Sequence, residues 1–450
     1  MVMTTSENTE FSLAGAFDET APGLPGADLA WLDALRSQGI EAFRANGLPN
    51  RKVEAWRYTN VSALEKQGFA PLAELAALDA VPEGGALAIE GACRIVFVNG
   101  RLRADLSDLD GLPEGVEALS LADALGGKGG ELEDLIAPAS KARDGALAAL
   151  NDAFMADGLV LRINAGATVS TPIHLISVGV PVEGQAVAFH PRNLVIAAKG
   201  SRATLVESHI GAGEGSYFSN TVTDIHVENG ATLTHAKLQD EGPKAFHVAL
   251  ARVCIGDAAV YGNFILHRGA ELARNEIHAR IDGSDAECRL NGAYLGAGRQ
   301  HMDNTTVIDH KAPGSRSSEV FKGALDGRAR GVFQGRIVVH RGAQQTEGHQ
   351  LNKTLLLSRD AEMDTKPELV IYADDVKCSH GATIGELDDT ALFYLRARGI
   401  DEATARDLLV SAFLNEAVEE LRAPELADAF RARIEGWVEA RHDSEGEKAA

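Results

Sequence analysis

An all-β core with α-helical flanks is the fold class this sequence predicts, with a parallel β-helix as its architecture, and three observations carry the reading. Between about Leu159 and Gly385, small and apolar residues recur at every second position, as in Ile277, Ala279 and Ile281 and then Ala286, Cys288 and Leu290. A period of two is the signature of a strand. Turn residues cut the alternation into short pieces: Ile225 and Val227 precede Asn229-Gly230, Ala231 and Leu233 follow it, Val253 and Ile255 precede Gly256-Asp257, and Ile337 and Val339 precede Gly342. Finally, no run among these pieces has the length and periodicity of the amphipathic helix that a doubly wound sheet places between parallel strands. Asn164-Ala165-Gly166-Ala167, Asn229-Gly230-Ala231 and Arg268-Gly269-Ala270 resemble one another as the corners of stacked coils would, which favours a β-helix over a sandwich or propeller. Their spacing is not constant.

Taken in order, residues 1–25 are rich in Thr, Ser, Glu, Asp, Gly and Pro and predict a disordered N-terminal extension. Leu29, Leu32, Leu35, Ile40 and Phe43 lie at helical spacing and open an N-terminal, mainly helical domain over 26–156. Within it, Leu48 to Asn60 concentrates Trp56, Tyr58 and several charges, a composition that suits packing at a domain junction. Pro71 to Leu78 predicts a small helix, Ala86 to Val98 a strand that buries Cys93, and Asp144 to Phe154 an Ala/Leu-rich helix. The β-helix core is assigned to 157–387. A C-terminal helical domain over 388–440 carries one stripe made of Leu408, Leu409, Ala412, Phe413, Ala417, Val418 and Leu421, then a break at Pro424. A second stripe follows, made of Leu426, Ala427, Phe430, Ile434 and Trp437. Residues 441–450 read as a polar tail.

Composition narrows the function. With 43 Lys and Arg against 65 Asp and Glu, the 450-residue chain has a formal charge of −22. That charge repels phosphate backbones and anionic lipid, so neither nucleic acid nor a membrane surface is an expected partner. No apolar run reaches transmembrane length, and the acidic opening lacks the basic start of a secretory signal, so a cytoplasmic location is expected. Cys93, Cys254, Cys288 and Cys378 are too scattered for a zinc knuckle or a disulfide framework. There is no phosphate-binding loop and no dinucleotide fingerprint, so no nucleotide is expected on this chain.

Thirteen of the fourteen histidines fall between His174 and His380. Most have a bland reading as solvated or hydrogen-bonded surface groups. His301-Met302-Asp303 with Asp309-His310, and Glu347-Gly348-His349, are weak metal candidates because nothing in the spacing supplies a third ligand. The segment Asp374 to Thr383 is sharper. On a strand, Cys378 and His380 project from one face. With Lys377 beside them they form a candidate site for iron or sulfur chemistry, since neighbouring cations favour thiolate over thiol. The competing reading is an inward Cys and His that pack at the last rung. No acidic orienter or nucleophile elbow supports a Cys-His hydrolase.

Several longer motifs resemble the SufB/SufD family of the Suf iron-sulfur cluster assembly scaffold, and in particular its SufD branch. They are Glu54-Ala55-Trp56-Arg57-Tyr58-Thr59, Tyr261-Gly262-Asn263, Asn291-Gly292, Asp375 to Thr383, and Leu392-Phe393-Tyr394-Leu395-Arg396-Ala397-Arg398-Gly399-Ile400. The resemblance spans roughly residues 25–440 and implies a right-handed parallel β-helix between helical regions. It further implies pairing with a SufB-like subunit and docking of a SufC-like ABC ATPase on the C-terminal helices, for which Leu409, Phe413, Ala417, Leu421 and Trp437 are the candidate residues. His380 and Cys378 match interfacial residues of the family, and a transient iron-sulfur cluster or iron at the subunit interface is the implied cargo. Reduced flavin is implied for the full complex. The chain is then expected to be an assembly subunit without turnover of its own. A homodimer in isolation, a purely structural adaptor, and a β-helical carbohydrate-active enzyme using Asp303, Asp309 and Arg299 are the alternatives.

Overall fold

The computed structural model describes residues 11–72, 76–140 and 145–449. Its N-terminal part runs α1 (Ser12–Thr20), α2 (Ala30–Asn46), α3 (Ser62–Gln67), β1 (Ala70–Pro71), β2 (Cys93–Val98), β3 (Arg101–Leu102), β4 (Val116–Ser120), α4 (Leu121–Ser140) and α5 (Ala146–Phe154). The solenoid begins with β5 (Leu159–Ile163), β6 (Ile173–Gly179), β7 (Val187–Phe189), β8 (Arg192–Ala197), β9 (Arg202–Gly211) and β10 (Tyr217–Val227). It continues through β11 (Thr232–Asp240), β12 (Phe246–Ile255), β13 (Val260–His267), β14 (Leu272–Ile281), β15 (Glu287–Gly296) and β16 (His301–His310). The last strands are β17 (Arg316–Leu325), β18 (Arg330–Val339), β19 (Thr346–Leu356), β20 (Glu362–Ile371) and β21 (Val376–Gly385), followed by α6 (Asp389–Ala397), α7 (Glu402–Val418) and α8 (Pro424–Ala449).

Strands alternate between two sheets, ordered β20-β18-β16-β14-β12-β10-β8-β5-β4 and β21-β19-β17-β15-β13-β11-β9-β6-β2-β3. Coil upon coil the pairing is parallel, which gives a parallel β-solenoid, the class the alternation pointed to. The inward columns are what the period-two residues build. Ile225, Val253, Ala279, Ile308 and Ile337 stack in one sheet, and Ala203, Leu233, Tyr261 and Cys288 stack in the other, all in a single buried cluster.

Along one corner each coil places a residue in the left-handed region: Gly166, Gly200, Gly230, Ala258, Asp285, Gly314 and Gln345, with φ between 51° and 72°. The N–H of each donates to a carbonyl of the next coil, as from Gly200 to Asn229, Gly230 to Asp257 and Ala258 to Ser284. Glycine takes this conformation freely, but Asp285, Ala258 and Gln345 hold it too, because the stacked coil supplies a partner for the turned amide.

Helices cover the outer faces. Phe11, Phe17, Phe43, Leu150 and Phe154 pack with Phe218, Phe246 and Leu272 on the first sheet, and Phe69 lies 5.7 Å from Phe218 and 5.8 Å from Phe246. The second sheet offers Val206, Ala236, Leu238, Phe264 and Leu266 to α7 and α8. There Phe430 meets Phe264 edge-on, ring centres 4.9 Å apart. Caps start the C-terminal helices: Asp388 accepts the Thr390 N–H and Asp401 the Thr404 N–H.

The structure corrects four boundaries. Residues 12–23 are not a loose extension: they form α1 and a short 3-10 turn, and Leu13, Ala14 and Phe17 are buried among the helices, while residues 1–10 lie outside the described residues. Residues 26–156 are not a mainly helical unit apart from the solenoid, since β2 pairs in parallel with β6 and β4 pairs with β5, extending both sheets. The small helix expected at 71–78 falls partly on residues outside those described, and Ala70–Pro71 is instead a strand paired with β7. The polar tail is helical, because α8 continues through Ala449.

Candidate functional site at the open end of the solenoid

The two ends of the solenoid are finished differently. At the N-terminal end the sheets stop at β4 and β3, short strands that run antiparallel to their neighbours, an arrangement that blunts further pairing. At the other end β20 and β21 are each hydrogen-bonded on one side only within their sheets, and Ile371, Tyr372 and Ile384 stand exposed there.

Cys378, His380 and Lys377 all lie on the free-edged β21. Register puts Cys378 above Gly348, Ser317, Cys288 and Tyr261, in an inward column of the core, and the thiol packs partly against that core. His380 follows in the same phase, above Gln350 and Glu319. Because no strand among the described residues pairs above it, His380 is exposed although its column is interior. The sequence expectation that the two share a face therefore holds.

Lys377 does not belong to the pair. Alternation turns it to the other face, where Nζ bonds Glu347 Oε1 at 3.1 Å. It is not the cation that would favour a thiolate, and burial pushes the Cys378 thiol up from its ordinary value. The group is a thiol at neutral pH until something takes its proton.

The weaker metal readings come apart for the same reason. Asp309 faces outward and bonds His340 at 2.6 Å, whereas His310 turns inward and is held by Ser315 and Ser317, both at 2.8 Å. His301 and Asp303 share a face but are taken up by Thr59 and, for Asp303, Arg274. Glu347 is committed to Lys377, and His349 bonds Ser379 at 2.8 Å. Among the described residues no group of three or more His, Cys, Asp or Glu side chains is arranged to hold a metal ion. Asp303 and Asp309, proposed partners of Arg299 in a glycosidic mechanism, sit in separate structural ion pairs.

Sequence reading missed the polar interior. Glu207 lies 2.7 Å from His209 and 3.0 Å from His235, and Lys237 bonds Asn275 at 2.7 Å and lies 3.2 Å from His247, all buried between the sheets. The signal was available: Glu207 and His209, and likewise His235 and Lys237, are two apart and in phase with inward Leu205 and Leu233.

The segment Glu54–Thr59 proves to be a strap over the first sheet. The Arg274 guanidinium lies over the Trp56 ring, Thr59 reaches Asp303 and His301, Gln334 donates to the Ala55 carbonyl at 3.1 Å, and Lys366 pairs with Glu54 at 2.5 Å. It thus crosses β14, β16, β18 and β20 and reaches the last coil.

The C-terminal stripe requires a correction. Ala417, Leu421 and Trp437 are buried against the solenoid, and Leu409 and Phe413 are partly buried, Phe413 beneath Lys322, whose Nζ is 4.7 Å from the ring centre. These residues fasten the helices to the second sheet and leave little for a partner. The exposed apolar surface of this region is Phe393 at 72% and Tyr394 at 57% on α6, with Leu408 on α7. Arg398 stacks over Tyr394, 4.5 Å from the ring centre.

A two-sheet parallel solenoid with helical flanks and a last coil paired on one side only defines a β-solenoid of the scaffold type. The pattern of the SufBD core domain of SUF-system FeS cluster assembly matches residues 180–413, and that of the SufBD protein N-terminal region matches residues 7–175. The chain belongs to the SufB/SufD family of iron-sulfur cluster assembly proteins. It is 32% identical to the iron-sulfur cluster assembly protein SufD of Escherichia coli over 88% of this chain and 91% of the relative. It is 30% identical to an iron-sulfur cluster assembly SufBD family protein of Synechocystis over 85% of this chain and 86% of the relative. A chloroplastic Arabidopsis thaliana protein, ABCI7, is 30% identical over 95% and 90% of the two chains.

Proposed function

We propose that this chain is a non-ATPase, SufD-type subunit of a cytoplasmic iron-sulfur cluster assembly complex, without turnover of its own. It pairs through the open end of its solenoid with a SufB-like subunit and carries a SufC-like ATPase on its C-terminal helices. The observation that carries the reading is the uncapped last coil with Cys378 and His380 in one phase on its free strand. An edge strand of this kind accepts a further strand with little rearrangement, and a partner seated there would cover both side chains and complete a site of which this chain holds half. Iron and sulfide are cargo in this reading. A thiol must lose its proton before its sulfur binds iron, and His380, on the same face as Cys378, can accept it. The exposed Phe393 and Tyr394 on α6, with Leu408, are the surface for the ATPase, whose nucleotide-driven movement would pull on the paired solenoids. Reduced flavin enters with the assembled complex.

The test is co-purification with the intact chain as bait, followed by iron, sulfide and stoichiometry analysis. Recovery of a SufB-like chain and ATPase chains, with iron and sulfide lost in His380→Ala, is expected. A metal-free homodimer, or normal cluster content in the variant, would overturn the reading.

A further inference from the structure

Beneath His380 the interior holds a buried acid. Glu319 on β17 is 1% exposed and Gln350 on β19 is 3% exposed. They are register partners, as Gln350 is of His380, so the three residues occupy one column on three successive coils. Adjacent strands are about 4.8 Å apart. Gln350 Nε2 donates to Glu319 Oε2 at 2.5 Å, on the coil below. The other end of the planar amide, Oε1, is buried and has no hydrogen-bond partner. The oxygen and nitrogen of a primary amide diverge from one trigonal carbon; with the nitrogen committed to the coil below, the oxygen is free for a donor on the register partner above, His380. Gly335 on β18 fixes this seat: a Cβ there would lie 1.9 Å from Gln350 Nε2.

We propose that Gln350 is a positioning residue for His380, its amide nitrogen anchored by Glu319 in the notch at Gly335 and its free oxygen accepting the ring N–H of His380. The proposal rests on the reading of His380 as part of the assembly site. Its effect is to select one tautomer, with one ring nitrogen held by Gln350 and the other offered outward to cargo or partner, as second-sphere acceptors do for ligating imidazoles. An unpaired buried carbonyl otherwise costs free energy, and this bond removes that cost. Burial pushes Glu319 up to about 7 against the opposing hydrogen bond from Gln350.

The experiment is nitrogen NMR of the full chain labelled at histidine, with the His380 signals assigned by their loss in His380→Gln. A single dominant tautomer is expected in the wild type. Gln350→Met, which keeps volume and removes the acceptor, should shift the tautomer ratio by about three- to tenfold, the worth of one modest net hydrogen bond. Gly335→Ala, which displaces the amide, should reproduce the Met variant. An unchanged ratio in folded Gln350→Met and Gly335→Ala chains would overturn the proposal. So would a wild-type His380 with the tautomer ratio of free imidazole, a measurement that needs no variant. Cluster content of the purified complex separates the two readings: a shifted tautomer with normal iron and sulfide in His380→Ala keeps the positioning role and removes the assembly role.

Discussion

Arg274 holds its guanidinium carbon 4.2 Å from the centre of the Trp56 ring and is ion-paired with both Glu276 and Asp303. The N-terminal motif and the middle of the solenoid are thereby joined by one buried cation. Replacing Trp56 with Ala removes a buried indole and this stacking, and is expected to destabilise the chain by about 3 kcal/mol. Urea unfolding would measure it, and proteolysis near residues 50–60 should accelerate. An unchanged midpoint would show that the strap is not fastened as described.

Breaking the ion pair from the other side should cost as much or more. Asp303→Ala leaves Arg274 with one carboxylate fewer in a site with no exposure on either side chain, and a loss of about 3–5 kcal/mol is expected. A loss below about 1 kcal/mol in the same assay would contradict a buried pair.

Acid should weaken the folded chain well before its exposed carboxylates titrate. Burial lowers His190 and His267 to about 3, and His174, His209, His301 and His310 to about 4. The folded state keeps these rings neutral where the unfolded chain, titrating near 6.5, takes up protons. Between pH 6.5 and 4 the unfolded state binds more protons, so stability falls as pH falls through that window, by up to about 1.4 kcal/mol for each pH unit and each ring. Thermal unfolding at pH 7.5 and 5 checks this. A flat profile would contradict the buried neutral histidines.

The two apolar faces of the C-terminal helices should separate in mutagenesis. Phe393→Ser and Tyr394→Ser alter exposed side chains, so stability should stay within about 0.5 kcal/mol while ATPase capture is lost. Trp437→Ala should instead lower stability by about 3 kcal/mol. Normal capture by a Phe393/Tyr394 double variant would remove α6 from the docking surface.

At the open end, Tyr372→Glu with Ile384→Glu places charge on the exposed edge. Subunit pairing, read by analytical ultracentrifugation of the mixed chains, should fall by at least about tenfold in affinity, with the unfolding midpoint unchanged. Equal affinity would move the interface elsewhere.

What could be read in advance was set by periodicity. Ile225, Val253, Cys288 and Ile337 face inward as their alternation required, and Cys378 and His380 keep one phase because a strand allows nothing else. Coil length was not legible. Arg202, Thr232, Val260, Glu287, Arg316 and Glu347 stack in register although their spacing drifts. Ala258, Asp285 and Gln345 also fill corner positions that a search for Gly would pass over. An amphipathic stripe records that a face is covered and does not name what covers it: Ala417, Leu421 and Trp437, read as a docking face, pack against the second sheet of the same chain. Lys377 misled because neighbours in sequence are opposites on a strand.

The unequal finish of the solenoid sets a limit on assembly. A rod with two ends that accept strands polymerises; here one end carries the short antiparallel edge strands β3 and β4, which blunt pairing, and the other the long parallel edges β20 and β21. Whatever similar rod joins it end to end must use its own open end to do so, and the pair then has only blunt ends to offer. Were subunits to pair through that open end as proposed, the growth rule that gives fibrils from stacked strands would terminate at two, the number of partners being set by geometry alone.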